Sequence, residues 1–165
     1  MHNPLPLRIR PASPEDRTAM TALHKASIGS CLGPYTVEQV TAWTAAIRPE
    51  VYDGALRDKT VLVAEAQEPD GPERLLGLGI LDSHDGEINA VYVSPEAMGR
   101  GVGSQLLAAM EAKAAGRGVA TLTVHATLNA VGFYERHGYR PRGDAAHELS
   151  DGTALPCVRM VKPLE

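Results

Sequence analysis

The chain has 165 residues and a net charge of −4, from 16 Lys and Arg against 20 Asp and Glu. This length predicts one domain, residues 1–165, that can bury a core without disulfides or metal ions. The acidic balance excludes a general attraction to nucleic acid or to anionic membranes. No stretch reaches the roughly 18 apolar residues of a membrane span, and the N-terminus has no signal-peptide pattern, so we predict a cytoplasmic protein.

The two cysteines, Cys31 and Cys157, lie far apart and belong to no metal-binding spacing. Such usage is typical of a reducing compartment. A reactive cysteine needs an activating neighbour, and the sequence shows none beside either thiol. We therefore predict neither a metal site nor a covalent cysteine intermediate.

The first half of the chain predicts a strand, two helices and the start of an antiparallel sheet. Alternating apolar residues predict a strand that runs into Pro11. Ser13 and Thr36 have the sequence context of helix N-caps, and Gln39 completes a capping box with Thr36. In chain order we predict a strand at 5–10, helices at 14–29 and 36–48, a short helical turn within 50–59, a strand at 61–64, a turn at 70–72, and strands at 75–81 and 87–93.

The second half predicts alternating helices and strands that end in a hairpin. Apolar residues at helical spacing, among them Leu106 and Met110, predict a helix from Val102 to the glycines at 116–118. A strand at 119–124, a short helix at 129–136 and a hairpin of strands 139–149 and 154–161 follow. The complete order predicts an α/β (α+β) fold: one mixed sheet of seven strands, four helices on its two faces, and a right-handed β-α-β crossover at its centre.

A glycine-rich turn joins the central strand, 87–93, to the helix that begins near Val102. Gly99, Gly101 and Gly103 occupy every second position there, so several backbone N–H groups at the start of a helix are not covered by side chains. The helix dipole adds about half a positive charge at the same point, which favours an anion. The turn therefore predicts a phosphate-binding loop.

The glycine spacing is a poor fit to two common phosphate loops. A P-loop requires a lysine after its second glycine, and no lysine follows here. A dinucleotide-binding turn requires a third glycine where Leu106 stands and a carboxylate about 20 residues further on, where the next strand ends in Val124 and His125. A nucleotide-dependent oxidoreductase is therefore a distant alternative.

The segment Met98-Gly99-Arg100-Gly101-Val102-Gly103 resembles the pyrophosphate loop of the GCN5-related N-acetyltransferases (GNAT), [QR]-x-x-G-x-[GA]. A second segment, NAVGFYERHGY from Asn129 to Tyr139, is similar to the family motif N-A-x-x-F-Y-E-x-x-G-[FY]. The predicted order of strands and helices is also that of the family. The resemblance implies the GNAT fold, in which two parallel strands splay apart at the site of acetyl-coenzyme A (acetyl-CoA).

The resemblance also implies a coenzyme A (CoA) site built largely from main chain. In relatives the loop amides hold the pyrophosphate, the preceding strand pairs with the pantetheine, and an asparagine contacts the pantetheine arm. The serine after the loop is expected to donate its hydroxyl, and the loop arginine to act as a charged donor. These contacts fall on Val91, Val93, Met98, Gly99, Arg100, Gly101, Val102, Gly103, Ser104 and Asn129. Met98 stands where the family usually has Gln or Arg, so we expect a modest loss of side-chain contacts.

Acetyl transfer to an amine requires a base for the ammonium and an acid for the departing thiolate. Tyr134 matches the tyrosine that relatives place beside the sulfur, so it is the expected acid. Glu87 stands twelve residues before Gly99, the spacing of the catalytic glutamate in the histone-acetylating branch of the family, and is the expected base, acting through water. His125, at the end of the following strand, is the rival base.

The first two helices and the loop between them are expected to build the acceptor pocket. Tyr35 and Trp43 are candidates to flank a substrate there, although Trp43 also belongs to the apolar stripe of its own helix. The carbonyl is expected to be polarised by the N–H of Val91 or its neighbour at a bulge. His84 and His137 are expected to be surface residues.

These inferences predict an acetyl-CoA-dependent N-acetyltransferase that acts by direct transfer in a ternary complex. The expected acceptor is a primary amine of an unidentified small molecule or protein. The alternative is a non-catalytic acyl-CoA-binding module that senses the cofactor and regulates a partner. The resemblance makes a homodimer through the late strands one possible assembly and leaves the oligomeric state open, and we expect no nucleic-acid or membrane partner.

Overall fold

The computed structural model describes residues 6–30, 33–66 and 74–164. These ranges contain seven strands and five α-helices. Their bounds are β1 Leu7–Pro11, α1 Arg17–Gly29, α2 Val37–Ala45, α3 Asp53–Asp58, β2 Thr60–Ala66, β3 Arg74–Asp82, β4 Glu87–Val93, α4 Val102–Gly116, β5 Thr121–Thr127, α5 Val131–Arg136, β6 Arg140–Glu148 and β7 Ala154–Pro163. The strands form one sheet in the order β1-β2-β3-β4-β5-β7-β6.

This architecture confirms the predicted mixed α/β sheet. Neighbouring strands are antiparallel except β4 and β5, which are parallel and connected through α4. The predicted closing hairpin is present as β6 and β7, and β7 lies between β5 and β6. Strand β4 has the bounds predicted for the central strand.

The helix count is five among the described residues, one more than predicted. The additional helix is α3, in a segment where the sequence predicts only a short helical turn. Pro49 begins a 3₁₀ turn, Pro49–Tyr52, that passes directly into α3. The 3₁₀ turn and the six residues of α3 therefore form one continuous helical segment.

Strand β5 begins at Thr121, two residues later than the predicted start at Val119. The N–H of Val119 donates instead to the carbonyl of Ala114 at 3.0 Å and closes the end of α4. The predicted start of the first strand at Leu5, the predicted turn at 70–72 and Cys31 lie outside the described residues.

The N-cap of α2 forms as the sequence predicts. The hydroxyl oxygen of Thr36 accepts a hydrogen bond from the N–H of Gln39 at 3.1 Å, and the side-chain carbonyl of Gln39 accepts one from the N–H of Thr36 at 2.9 Å. Both bonds satisfy donors that helix geometry leaves unpaired. The capping box therefore determines where α2 begins, and the position of α2 in turn determines where Trp43 is buried.

Different helices cover the two faces of the sheet. Helix α4 buries Leu106 and Met110 in a core on one face, and helices α1 and α2 bury Met20 and Trp43 in a second core on the other. The approach of α4 to β3 is close because β3 has a glycine at the contact. A Cβ at Gly77 would lie 2.6 Å from Leu106.

The parallel strands β4 and β5 are paired only at their beginnings. The paired residues are Glu87 with Thr123 and Ile88 with Val124. From residue 89 onward the β5-facing edge of β4 has no strand partner within the described ranges, which confirms the predicted splay. The register with β3 also shifts near Asn89, so the bulge expected for the acetyl site lies two residues before Val91.

A buried histidine packs against β4 from the α1 side. The ring of His24 lies 3.9 Å from the ring of Tyr92, centroid to centroid, and its Nδ1 lies 2.9 Å from the hydroxyl of Tyr52. Its Nε2 is buried and has no hydrogen-bond partner among the described residues. Burial lowers the pKa of His24 to about 4 from an ordinary 6.5. The folded protein therefore holds a neutral imidazole.

We expect this histidine to destabilise the protein in mild acid. Unfolded chain protonates His24 at a higher pH than folded chain, so the free energy of unfolding falls as the pH drops from about 6.5 towards about 4. Between pH 7 and pH 5 the loss from this group is about 2 kcal/mol. Urea unfolding of wild type and His24→Phe at both pH values measures it, because phenylalanine fills the site without titrating. An equal loss in both proteins would contradict this assignment.

Candidate active site

A cavity of about 450 Å³ opens where β4 and β5 separate. It is lined by the second half of β4, the glycine loop, the first turn of α4, the end of β5, and α5. Ser27 of α1 and Trp43 of α2 complete the lining from the other face of the sheet. The gap between β4 and β5 therefore joins the glycine loop, which is suited to an anion, to a wall formed by α1 and α2.

The glycine loop has the backbone conformation that its sequence indicates. Gly99 and Gly101 have φ values of 76° and 85°, in the left-handed region that side chains disfavour. Gly101 is the N-cap of α4, and its carbonyl accepts the first helical bond from Gln105 at 3.0 Å. The three N–H groups before Gln105 therefore have no partner within the helix and are available to a ligand.

Gly103 brings the first turn of α4 against α5. A Cβ at this position would lie 3.2 Å from the ring of Phe133, closer than most such contacts. The two sequence motifs, one before α4 and one through α5, are therefore in contact across the cavity. This contact also positions Tyr134, the residue after Phe133.

Nine of the ten residues expected to bind the cofactor line the cavity: Val91, Val93, Met98, Gly99, Gly101, Val102, Gly103, Ser104 and Asn129. The exception is Arg100, whose exposed side chain is not part of the lining. Met98 lines the cavity and is 45% exposed, but its N–H donates to the carbonyl of Pro95 at 3.4 Å. That amide is therefore partly engaged inside the protein.

Tyr134 lies in the wall of the cavity and is 4% exposed. Its ring packs edge to face against Phe133 and Tyr139, with centroids 5.1 and 5.4 Å away. Burial raises the pKa of its hydroxyl well above the ordinary value, and interaction with Tyr92 adds to the effect. The phenol is therefore fully protonated near neutral pH and can donate a proton or a hydrogen bond.

The two candidate bases contact each other. Nδ1 of His125 lies 3.1 Å from Oε1 of Glu87, across the point where β4 and β5 begin to separate. His125 lines the cavity and Glu87 does not. Their side chains are 44% and 32% exposed, so both remain accessible to water. The sequence treats these residues as rivals, whereas the structure makes them a pair.

The structure corrects the expectation that His137 is a surface residue. His137 is half-buried and lines the cavity, with Nδ1 2.8 Å from the carbonyl of Phe133 and Nε2 2.9 Å from the hydroxyl of Ser104. The Ser104 hydroxyl, expected to face a phosphate, is therefore already bonded to an imidazole. The position of His137 inside the second motif was a signal for this contact.

The two aromatic residues expected in the acceptor region, Tyr35 and Trp43, have different positions relative to the cavity. Trp43 is buried and lines the cavity, whereas Tyr35 is buried beside it without lining the cavity. The Tyr35 hydroxyl donates to the carbonyl of Pro156 at 2.6 Å and accepts from the N–H of Leu128 at 3.0 Å. Tyr35 therefore holds the end of β5 against β7. Tyr92, which sequence reasoning did not select, lines the cavity in its place.

In the three described ranges, no group of three or more His, Cys, Asp or Glu side chains is arranged to hold a metal ion. None of the helices within those ranges has the length and apolar character needed to cross a membrane.

Several solved structures have the same fold. A GCN5-related N-acetyltransferase from Rhodopseudomonas palustris has 31% identity and a TM-score of 0.85, over 99% of this chain and 98% of that one. PaiA N-acetyltransferase from Thermoplasma acidophilum, solved with coenzyme A, has 20% identity and a TM-score of 0.74, over 96% and 99%. YncA from Salmonella typhimurium, solved with acetyl-CoA, has 21% identity and a TM-score of 0.64, over 96% and 94%. The latter two show the fold alone.

No curated protein sequence matches this chain significantly. The model of the acetyltransferase (GNAT) domain family, however, matches residues 31–161, which include the glycine loop, both candidate bases and Tyr134. The acetyl-CoA cofactor expected from the sequence agrees with the ligands of the solved neighbours. On the family match and the similarity to the Rhodopseudomonas palustris protein, the chain belongs to the GCN5-related N-acetyltransferase family.

Proposed function

We propose that this protein is an acetyl-CoA-dependent N-acetyltransferase that moves the acetyl group directly to a primary amine in a ternary complex. The observation that carries the proposal is that one cavity is lined by the glycine loop, by Tyr134 and by His125, which is bonded to Glu87. An anion site, an acid and a base thus share one cavity. A bound thioester would supply the activated acetyl group.

The Glu87–His125 pair forms the base. A carboxylate can only accept a hydrogen bond, so Nδ1 of His125 carries the proton in the 3.1 Å contact with Glu87. Nε2 then keeps its lone pair and is the atom that takes the proton of the acceptor ammonium. Glu87 orients the ring and stabilises the imidazolium that forms. The role predicted for Glu87 is thereby divided between two residues.

Tyr134 is the acid that protonates the leaving thiolate. Its buried hydroxyl remains protonated while the base works, so acid and base can be in their active forms at the same pH. A thiolate leaving the acetyl group takes the phenolic proton, which solvent then replaces. The acceptor nitrogen loses one proton to His125 before it attacks the acetyl carbon and a second proton to solvent as the carbon–sulfur bond breaks, and His125 then returns its proton to solvent.

The acceptor pocket is formed by Ser27, Trp43 and Tyr92, beside His125. An indole and a phenol provide apolar and cation-binding surfaces, which suit an amine that is protonated before it reacts. We propose a primary amine of a small molecule or of a protein segment as the acceptor.

Thermal unfolding with added ligands tests the proposed cofactor. At about a hundred times the dissociation constant, a ligand that binds only the folded state adds about 2.7 kcal/mol and raises the midpoint by roughly 5 to 10 °C. Acetyl-CoA and CoA are expected to produce this rise, and NAD and ATP are not. A rise with NAD or ATP alone would contradict the proposal. Thiol release from acetyl-CoA with a panel of primary amines and peptides then identifies the acceptor.

A further inference from the structure

The hydrogen bonds of His137 determine whether the Ser104 hydroxyl can donate its proton to a ligand. The Phe133 carbonyl only accepts, so Nδ1 of His137 must carry a proton in the 2.8 Å contact. In a neutral imidazole Nε2 is then unprotonated, and it accepts the hydroxyl proton of Ser104 across 2.9 Å. In this state Ser104 presents lone pairs to the cavity, and lone pairs repel a phosphate oxygen.

Protonation of the imidazole reverses the Ser104 bond. When a proton from solvent adds to Nε2, this nitrogen donates to the Ser104 oxygen, and the hydroxyl proton is released to point elsewhere. The Nδ1 bond to Phe133 is unchanged. An anion at the glycine loop then receives the hydroxyl proton of Ser104 as a hydrogen bond and gains a nearby positive charge. No covalent bond changes except the proton gained at Nε2.

Among the described residues, the charged groups around His137 give an imidazolium no carboxylate partner. Arg136 lines the same cavity, and the positive end of the α4 dipole lies at Ser104. The other charged groups on the glycine loop, α4 and α5 are Arg100, Lys113, Glu135 and Glu111, and Glu111 is paired with Lys162 of β7 at 3.0 Å. None of these carboxylates forms an ion pair with His137 among the described residues. A bound pyrophosphate supplies the missing negative charge.

We propose that His137 is a positioning residue for the cofactor phosphates, and that binding of CoA is coupled to proton uptake by its imidazole, which frees the Ser104 hydroxyl to donate. This inference rests on the proposed function, since it requires a CoA pyrophosphate at the glycine loop. It predicts that the cofactor binds more tightly in mild acid than in mild base.

Calorimetric titration with dephospho-CoA tests the coupling, because this ligand keeps the pyrophosphate and lacks the phosphomonoester that itself titrates near pH 6. Affinity is expected to fall about fivefold from pH 6 to pH 8 in the wild-type protein. HEPES and Tris have different ionisation enthalpies. At one pH, the apparent binding enthalpy is therefore expected to differ between the two buffers by an amount that corresponds to uptake of a fraction of a proton. This wild-type comparison requires no variant.

A double-mutant cycle separates positioning from packing. His137→Asn and Ser104→Ala are each expected to weaken dephospho-CoA binding by about tenfold at pH 6. Because His137 acts in part through Ser104, the double variant is expected to lose less affinity than the sum of the two single losses. His137→Asn is also expected to abolish the proton uptake. His147→Asn, an exposed histidine on β6, is the matched control and leaves affinity and uptake unchanged.

Three results would overturn the role of His137: no proton uptake in the wild-type protein, unchanged pH dependence in His137→Asn, or additive losses in the double variant. All three are compatible with CoA binding and acetyl transfer by the wild-type protein, so the proposed function would stand. If neither CoA nor dephospho-CoA binds at any pH, the proposed function fails together with this inference.

Discussion

Replacing Glu87 with Gln, or His125 with Asn, is expected to lower kcat for acetyl transfer by about a hundredfold to ten-thousandfold, the usual contribution of general acid–base groups. In the first variant a neutral amide no longer stabilises the imidazolium and can donate to Nδ1 as well as accept from it, and in the second the asparagine side chain has no basic nitrogen. Because the two residues are bonded at 3.1 Å, the double variant is expected to lose little more than either single variant. Stopped assays of thiol release measure these rates.

The pH profile distinguishes a base from a structural pair. In the wild-type protein kcat is expected to fall on the acidic side, because the base acts only while Nε2 of His125 is free to accept a proton; this acidic limb is expected to disappear in His125→Asn and to change its position in Glu87→Gln. Affinity for CoA is expected to stay unchanged, because the pair lies where β4 and β5 begin to separate and not in the glycine loop. Glu148→Gln and His147→Asn on the exposed edge strand β6 are the matched controls. An unchanged profile in Glu87→Gln would reject Glu87 as part of the base.

Replacing Tyr134 with Phe is expected to slow acetyl transfer by roughly tenfold to a thousandfold while affinity for CoA stays the same. The phenyl ring keeps the edge-to-face contacts with Phe133 and Tyr139, so the substitution removes only the proton donor. Measurements of kcat with acetyl-CoA and of CoA binding by calorimetry check the two halves of this expectation. Full activity would reduce Tyr134 to a packing residue.

Tyr139→Phe is the control for this substitution. Tyr139 is buried, and its hydroxyl donates to Oε2 of Glu111 at 2.8 Å, away from the cavity lining. Its loss is expected to lower the free energy of unfolding by about 1 kcal/mol, because a half-buried carboxylate loses a donor, and to leave kcat unchanged. Only a phenol at the reacting atoms should affect the rate without affecting stability.

Elements and loop conformations were predictable from sequence because they depend on near neighbours. The capping box of Thr36 and Gln39 involves residues three positions apart, and it formed as predicted. Gly99 and Gly101 have the left-handed φ values that a glycine-rich turn indicates. The α3 helix was only partly predicted, since its six residues are too short to show a clear period.

The candidate site was only partly predictable, because its side chains meet across long sequence separations. Glu87 and His125 are 38 residues apart, and Ser104 and His137 are 33 apart. Whether such residues touch depends on strand order, on the register between β4 and β5, and on the point at which the two strands separate. For this reason the sequence presented Glu87 and His125 as competing bases and placed His137 on the surface.

The sequence by itself determined the family, the glycine loop, the central strand and the identity of the candidate acid, because each depends on a contiguous pattern. Tertiary structure alone decided that the two candidate bases are one pair, that His137 binds the Ser104 hydroxyl, and that Tyr92 rather than Tyr35 lines the acceptor region with Trp43. The physical reason is that short-range periodicity and backbone preference are encoded locally, whereas the splay of β4 from β5 results from packing of the whole sheet.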